Sequence, residues 1–391
     1  MTNILPDEEV RDTSADHETL AMLRDSLARY LDDHHGFEQR LKLLAAADDA
    51  PPPFWRGLAR DLDLLGAALP AAQGGLGLGL AAHFALMPVL GAALAAEPYL
   101  STLVLGAGLL QRHPGAAADA LLRRVMAGQA VLAFAHDEPH SRHDRADVRT
   151  RLQPGPAGGW RLDGHKAVVQ CAPWAGHLIV SARHGDDGGL SLVVVPRDAP
   201  GVRLRPYPTR DGGRAADVRF DDVQVPADAL LGLPGQALPQ IEQALDEATL
   251  AVCAEAIGVM QRLMRDTLDY VRQRKQFGVP IASFQVLQHR LVDMQLALAQ
   301  AEALTLAVAE GAIRSAGAAA RARAVSSAKV AVAKACRVVS QGAVQLHGGM
   351  GMTEELAVGH YARRATLIEG QFGPPSWHLR RVAQLQKDLN A

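Results

Sequence analysis

Residues 270–294, with the sequence YVRQRKQFGVPIASFQVLQHRLVDM, decide how the rest of the chain is interpreted. A run of apolar residues spaced three and four apart leads into a cationic cluster around Arg274, which predicts a long helix that ends in positive charge. Pro280 has no backbone N–H to donate, so the sequence predicts a break there and a second helix from about Phe284. Periodicity alone favours a capped helix with a solvated basic end.

The pattern R-K-Q-F-G-x-P-I-x-x-F-Q within this stretch resembles a signature of the acyl-CoA dehydrogenase family. In that family the matching arginine binds the pyrophosphate of an FAD held mainly by the neighbouring subunit, and the resemblance implies this role for Arg274. A guanidinium suits the role because it makes planar, paired hydrogen bonds to phosphate oxygens. The other residues that the resemblance implies at the cofactor are Lys275, Gln276 and Phe277, with Phe284 and Gln285 near its adenine end.

A second motif lies at residues 345–349, where a helix rich in small residues runs into Q-L-H-G-G. The two glycines are predicted to end this helix with positive φ. The motif also resembles a family pattern whose glutamine and glycine backbone contact the FAD adenosine of the neighbouring subunit. That resemblance implies cofactor contacts for Gln345, Gly348 and Gly349, since a side chain would block close backbone approach.

Composition excludes several classes of function. The chain has 391 residues, 48% of them apolar, and a formal net charge of −2, which argues against nucleic acid as the main partner. Its three cysteines lie far apart in apolar contexts, so we expect neither a disulfide framework nor a metal site, and a reduced cytoplasmic location. The acidic start lacks the apolar core of a signal peptide. Glu97 and Pro98 interrupt the short apolar run at residues 90–100, so no membrane span is expected.

The change of periodicity along the chain predicts three domains. Helical spacing runs from about Leu20, residues 1–17 are expected to be at least partly disordered, and short β-like runs separated by turn signals begin near residue 131. This order resembles the α+β multidomain fold of acyl-CoA dehydrogenases, with an N-terminal helical domain, a middle β-domain and a C-terminal four-helix bundle. The predicted bounds are 1–130 for the helical domain, 131–235 for a β-barrel domain and 236–391 for the helical bundle.

The motifs with which such a chain holds its own flavin are changed. The family pattern T-E-P-x-x-G-S-D is matched by DEPHSRHD at residues 137–144, and W-I-T/S by VVQ at residues 168–170. Of the second motif only Gln170 remains to donate a hydrogen bond to the flavin, from a longer side chain. His136, His140 and His143 form H-x-x-x-H-x-x-H, but after a strand this spacing does not align the rings, so we expect a polar loop and no metal.

The catalytic base of the family is a carboxylate that removes the proton α to the thioester carbonyl. The family pattern I-Y-E-G-T is matched by IEGQFG at residues 368–373, where Glu369 falls one place early unless a residue is deleted. A second family position falls on Ala248, with Glu247 one residue before it and about 100° away around the helix. Both glutamates are candidate bases, and an ordinary polar surface role is the alternative for each, favoured for Glu247.

The segments AVCAEAIGVM and HYARRAT resemble the smaller subunits of heteromeric bacterial acyl-CoA dehydrogenases, in which a partner supplies the base and the main flavin site. The resemblance implies FAD-dependent α,β-desaturation of an acyl-CoA thioester, with electrons passing to an electron-transfer flavoprotein. The partner would be a homologous subunit or a second copy of this chain. Three alternatives stay open: a homomeric dehydrogenase with Glu369 as base, a flavin-free structural subunit, and an oxidase that reduces oxygen to peroxide.

Overall fold

The computed structural model describes residues 13–46, 49–155, 158–185, 188–313 and 317–390. Helices come first, a single mixed sheet follows, and helices return after the sheet, which is the predicted order. The change from helix to strand falls between residues 126 and 132, where the periodicity of the sequence changes.

The N-terminal region is helical from the first described residue. Helix α1 begins at Thr13, with Asp16 in its first turn, so the prediction of disorder is wrong for residues 13–17, while residues 1–12 lie outside the described part of the chain. Polar residues suit this position because an acidic side chain stabilises the first turn of a helix. The helices are α1 (Thr13–His34), α2 (Phe37–Ala46), α3 (Phe54–Arg60), α4 (Gly79–Ala92), a π-helical segment (Leu100–Ala107) that continues into α5 (Gly108–Leu110), and α6 (Ala116–Met126).

The sheet has the strand order β6-β7-β3-β2-β4-β5-β8, and β1 also pairs with β4. Strands β1 and β2 run parallel to β4, and the other neighbours are antiparallel. The short strand β2 escaped sequence analysis because only its Leu152 is buried, which leaves too few apolar residues to alternate. The strands are β1 (Leu132–Ala135), β2 (Arg151–Pro154), β3 (Trp160–Gln170), β4 (His177–His184), β5 (Leu190–Pro196), β6 (Val202–Pro208), β7 (Arg214–Val225) and β8 (Leu230–Leu231).

The C-terminal region is built around one long helix, α7, in which every residue from 244 to 260 is buried. A helix that is apolar nearly all round belongs inside a bundle. Helix α4 crosses α7 closely at two glycines. A Cβ on Gly91 would lie 2.2 Å from the Glu255 carbonyl oxygen, and a Cβ on Gly258 would lie 1.8 Å from the Pro88 carbonyl oxygen. The helices are α7 (Leu238–Gln273), α8 (Gln285–Ile313), α9 (Ala318–His347), α10 (Ala357–Gly370) and α11 (Pro375–Asn390).

Helix α8 exposes several large apolar side chains. Over Gln285–Gly311 it is long and apolar enough to cross a membrane by length and composition, and only 28% of its most apolar stretch is buried. It is the one helix in the described residues that meets this test. Its exposed apolar side chains are Val286, Val292, Leu296, Leu304 and Leu306.

Candidate functional site: a cofactor-facing surface and an internal cavity

The cationic stretch between α7 and α8 forms a small hairpin that projects from the bundle. Arg274 ends α7, and β9 (Lys275–Gln276) pairs with β10 (Val279–Pro280) across a two-residue loop. Both loop residues have positive φ, 53° for Phe277 and 83° for Gly278, as a tight hairpin of this length requires. Phenylalanine is an unfavourable residue at positive φ, yet Phe277 is held there with 92% of its surface exposed.

The hairpin leaves its polar groups available. Arg274 and Lys275 are exposed, and neither side chain has a hydrogen bond or ion pair with any residue in the described ranges. The ring of Phe284 lies edge-on to that of Phe277, with 6.1 Å between centroids, and Gln285 begins α8 beside it with an exposed side chain. The predicted cofactor residues of this stretch therefore share one exposed surface.

The second predicted motif lies beside the hairpin. Tyr270, in the last turn of α7, stacks on His347 at the end of α9 with 4.3 Å between ring centroids, and its hydroxyl donates to the His347 carbonyl oxygen at 3.3 Å. This contact joins the C-terminal ends of α7 and α9. It brings the exposed Gln345, Gly348 and Gly349 to the same end of the bundle as Arg274.

Only one of the two glycines ends α9 in the predicted way. Gly348 has φ 60°, whereas Gly349 does not have positive φ, so that part of the prediction is wrong for Gly349. A Cβ on either glycine would meet no atom of this chain within 4 Å. Crowding within the chain therefore does not require glycine at Gly349.

A cavity of 490 Å³ lies between the sheet and α10. Its walls come from the loop after β1, the end of β3, the β6–β7 turn and the end of α10. Residues of both changed flavin motifs, 137–144 and 168–170, line this cavity, and the half-buried Gln170 is among them. This is the space in which the resemblance would put the flavin ring and thioester of the chain's own site.

The loop after β1 has two residues at positive φ, a conformation that favours glycine, but both carry large side chains. Arg142 and His143, which stand at the family's Gly-Ser, have φ values of 46° and 70° and line the cavity. Val168 has φ 52° and is 54% exposed, and it supplies no hydroxyl. Within residues 137–144 the one hydroxyl is that of Ser141, and it is hydrogen-bonded to the backbone of Glu138. The residues present therefore fit a flavin poorly at this cavity.

A buried charge network closes the far side of the same cavity. Arg364 on α10 donates to both carboxylate oxygens of Glu255 on α7, at 2.5 and 2.6 Å, and to Asp211 in the β6–β7 turn at 2.8 Å. It also donates to the Gln371 side-chain oxygen at 3.1 Å. Although burial opposes ionisation of Asp211, the charge and hydrogen bond of Arg364 leave the pKa of this carboxyl below its usual value.

Glu97 is a carboxylate in the cavity wall that sequence analysis did not identify as a site residue. It accepts hydrogen bonds from the Ser101 backbone N–H at 3.0 Å, the Ser101 hydroxyl at 2.9 Å and the Cys171 thiol at 3.1 Å. Burial nevertheless raises the pKa of Glu97 to about 6, since these bonds only partly replace water.

The loop after β1 is anchored by a buried ion pair. Lys166 on β3 is fully buried and donates to Glu138 at 2.8 Å, to the His136 carbonyl oxygen at 2.9 Å and to the Ser181 hydroxyl at 3.1 Å. Burial lowers the pKa of Lys166 to about 8. Burial would raise the pKa of Glu138, but the charge of Lys166 and the hydrogen bonds from Lys166 and Thr150 together outweigh it and hold the pKa at about 2.

Neither predicted base lines the cavity. Glu369 on α10 is bound by Arg337 on α9, 2.5 Å between Nη2 and Oε2, while the adjacent Gly370 and Gln371 do line the cavity. Glu247 on α7 is 6% exposed and is bound by Arg112 at 2.5 Å and by Gln243 at 2.9 Å. The geometry therefore keeps both carboxylates in ion pairs outside the space where a substrate would lie.

The three histidines near the loop do not converge. His136 bonds to the Ser181 hydroxyl at 2.9 Å, and His140 bonds to Asp147 at 3.2 Å. Across the ranges that the structure covers, no group of three His, Cys, Asp or Glu side chains is arranged to hold a metal ion.

Residues 133–223 match the family model described as acyl-CoA dehydrogenase, middle domain, and residues 235–385 match that of the acyl-CoA dehydrogenase C-terminal domain. The two matches together cover most of the chain. The chain belongs to the acyl-CoA dehydrogenase family. Its fold class is the predicted one, and the members of this family bind FAD.

Among individual members of the acyl-CoA dehydrogenase family, the probable acyl-CoA dehydrogenase YngJ of Bacillus subtilis is 31% identical over 255 residues, which is 63% of this chain and 66% of that protein. A solved variant of the Tcur3481–Tcur3483 steroid ACAD is 31% identical, with TM-score 0.85 over 95% of this chain and 99% of that one. The ChsE4–ChsE5 complex from Mycobacterium tuberculosis is 26% identical, with TM-score 0.84 over 94% and 96%. The alignments to the first curated relatives span 66% and 59% of those proteins' lengths.

Local sequence patterns do not reveal the internal charge network of this family member. Glu97 carried one signal, because it interrupts an apolar run together with Pro98. Arg364 meets Glu255 and Asp211 across 109 and 153 residues of sequence, so no spacing rule links them. Only the packing of α7, α10 and the β6–β7 turn against one another assembles them.

Proposed function

We propose that this chain is a subunit of an FAD-dependent acyl-CoA dehydrogenase and that it completes the FAD site of a different, homologous subunit. The complex would desaturate an acyl-CoA thioester between its α- and β-carbons and pass electrons to an electron-transfer flavoprotein. The observation that carries the proposal is an asymmetry: the surface that would reach a neighbour's FAD is intact and exposed, whereas the chain's own cavity lacks the flavin hydroxyls and a base at either predicted position.

The surface formed by the β9–β10 hairpin and the end of α9 carries groups that can bind a dinucleotide. The Arg274 guanidinium has no hydrogen bond or ion pair with any described residue, so it is free to make paired hydrogen bonds to pyrophosphate oxygens. Phe277 and the open backbone at Gly348 and Gly349 lie at the same end of the bundle. These groups would bind and orient the cofactor, and bound FAD would accept the hydride from the β-carbon.

The exposed apolar residues of α8 support an obligate subunit contact. Exposed apolar side chains grouped on one helix favour an interaction surface, and those of α8 begin directly after the hairpin. Phe277 is held at positive φ and is 92% exposed. Aromatic side chains are enriched at subunit interfaces, so its exposure favours a contact with another subunit. The helix is therefore proposed to pack against another subunit.

Two features separate the proposal from its alternatives. A homomeric dehydrogenase with Glu369 as base receives no geometric support, because Arg337 holds that carboxylate outside the cavity. In a flavin-free structural subunit the exposed Arg274 guanidinium would have no cofactor phosphate to bind. An oxidase would use the same groups and differ in its electron acceptor.

The experiment is purification of the tagged chain from its native host, followed by identification of every co-purifying chain and of bound flavin. The proposal predicts a homologous acyl-CoA dehydrogenase subunit in stoichiometric amount, a flavin absorption band, and reduction of an electron-transfer flavoprotein by acyl-CoA. Recovery of the chain alone without flavin would favour the structural subunit. Peroxide formation in place of flavoprotein reduction would favour the oxidase.

A further inference from the structure

Tyr270, near the end of α7, contacts both parts of the surface that is proposed to reach a neighbour's FAD. Its backbone carbonyl oxygen accepts a hydrogen bond from the Arg274 N–H at 2.8 Å. Its ring stacks on that of His347, with 4.3 Å between centroids and 24° between the ring planes. His347 is the last residue of α9 and directly precedes Gly348. Tyr270 therefore joins the arginine of the hairpin to the glycine that ends α9.

His347 is itself held in one orientation. Its side chain is buried, and its Nδ1 donates to the Ala343 carbonyl oxygen one turn earlier at 2.8 Å. The Tyr270 hydroxyl donates to the His347 carbonyl oxygen at 3.3 Å. The contact therefore fixes both the ring and the backbone of the residue before Gly348.

The two residues that this contact joins lie where helices are least constrained. Arg274 is the C-cap residue of α7, and Gly348 is the C-cap residue of α9. Helix ends fray, and every residue from 272 to 279 is exposed, so the hairpin beyond α7 gains little support from burial. The spacing between the Arg274 and Gly348 backbones thus depends on how the two helix ends are joined.

We propose that Tyr270 and His347 are positioning residues for FAD, because they set the spacing between Arg274 and Gly348 so that one dinucleotide can bind both. Groups that are already ordered bind a ligand more tightly, since less freedom is lost when the ligand arrives. The effect passes through the backbone of Arg274 and Gly348, so neither ring has to touch the cofactor. This role rests on the proposed function, since it concerns FAD bound at this surface.

The alternative is a packing contact that serves stability alone, and the chain offers a matched control for it. Tyr30 on α1 stacks on His34, again with 4.3 Å between ring centroids, and the ring planes are 14° apart. Tyr30 and Tyr270 are both half-buried. Helix α1 contains none of the predicted cofactor residues, so the loss of the Tyr30 ring should affect stability without affecting FAD.

The experiment measures FAD affinity and stability separately on the purified complex. FAD is removed, its dissociation constant is measured by titration of flavin fluorescence, and urea unfolding gives the stability of each variant. Tyr270→Leu is expected to weaken FAD binding about tenfold, which is the range that the loss of an aromatic pair allows. Tyr270→Phe keeps the stacked ring and loses one long hydrogen bond, so its affinity should stay within about threefold. Tyr30→Leu should keep FAD affinity within about twofold, as expected for a distant site.

A double-mutant cycle then asks whether Tyr270 acts through Arg274. Once Arg274→Ala has removed the guanidinium, its placement no longer matters, so Tyr270→Leu should cost less in that background. The combined loss of FAD affinity is expected to be at least about threefold smaller than the product of the two single losses. If Tyr270→Leu does not assemble, His347→Leu removes the same stack from the other side and takes its place.

Two results would overturn the inference: FAD affinity that is unchanged in Tyr270→Leu although stability falls as in Tyr30→Leu, or losses that multiply fully in the double variant. Failure of the proposed function gives a different pattern. If Arg274→Ala and Tyr270→Leu both leave FAD affinity unchanged, FAD does not bind at this surface and both proposals fail. If Arg274→Ala loses FAD and Tyr270→Leu does not, the proposed function stands and the positioning role alone fails.

Discussion

Arg337 on α9 and Glu369 on α10 form an ion pair with 2.5 Å between Nη2 and Oε2, and neither residue lines the cavity between the sheet and α10. Glu369→Gln is therefore expected to leave flavin content and turnover of the active complex within about twofold of the unmodified complex. The loss of an exposed ion pair should cost at most about 1 kcal/mol of unfolding free energy. Steady-state turnover with an electron-transfer flavoprotein measures the effect, and abolished desaturation with an intact flavin spectrum would make Glu369 the base after all.

Arg274→Ala is expected to lower FAD retention in the complex while the fold survives, because the phosphate would lose a charged hydrogen-bond partner worth roughly 1.5–3 kcal/mol. Flavin per complex after gel filtration, with circular dichroism of both proteins, measures this. Arg272→Ala is the matched control, since Arg272 is an equally exposed cation two residues earlier. Unchanged flavin in Arg274→Ala, or equal losses in both variants, would reject the assignment.

Lys166→Met is expected to destabilise the protein by about 3–5 kcal/mol, because it leaves Glu138 buried without its cation. Urea unfolding followed by circular dichroism gives the change in unfolding free energy. Lys334→Met, at an exposed position on α9, should stay within about 0.5 kcal/mol. Similar stability of the two variants would mean that the loop after β1 does not depend on this ion pair.

Glu97→Gln is expected to stabilise the chain at pH 7 and above, by up to about 2 kcal/mol. The pKa of Glu97 is about 6 in the folded protein and 4.5 ordinarily, so the folded state binds the proton more tightly and loses stability as pH rises from 4.5 through 6. A glutamine cannot ionise, so its advantage should shrink as pH falls through that interval. Unfolding free energies at pH 4.5, 6 and 8 check the sign, and a difference that is the same at all three would contradict it.

The sequence predicted the features that depend on neighbouring residues. The break at Pro280 and the end of α9 at Gly348 follow from backbone chemistry, and β3 to β7 follow from alternating apolar residues. The hairpin of β9 and β10 was not predicted. The predicted four-helix bundle contains a fifth helix, α11, beside α7 to α10. Domain bounds, cofactor contacts and the catalytic base remain predictions.

What the sequence could not predict depends on distant contacts. The pairing of Arg337 with Glu369 joins two helices, and the hydrogen bond from Arg40 to the Asp211 carbonyl oxygen joins α2 to the β6–β7 turn. The spacing of residues on one helix says which residues share a face, but it does not say which charges the next helix supplies. The internal cavity and the charge network beside it emerged only from the assembled fold.

The central claim is that this chain completes a neighbour's FAD site and holds its own poorly. It is tested most directly by expressing the chain alone and then with the homologous subunit, and measuring FAD per chain and acyl-CoA dehydrogenase activity in each preparation. The account predicts little flavin and little activity for the chain alone, and about one FAD for every two chains in the active complex, since each pair makes one complete site. A stable homo-oligomer with one FAD per chain and full acyl-CoA dehydrogenase activity would contradict it.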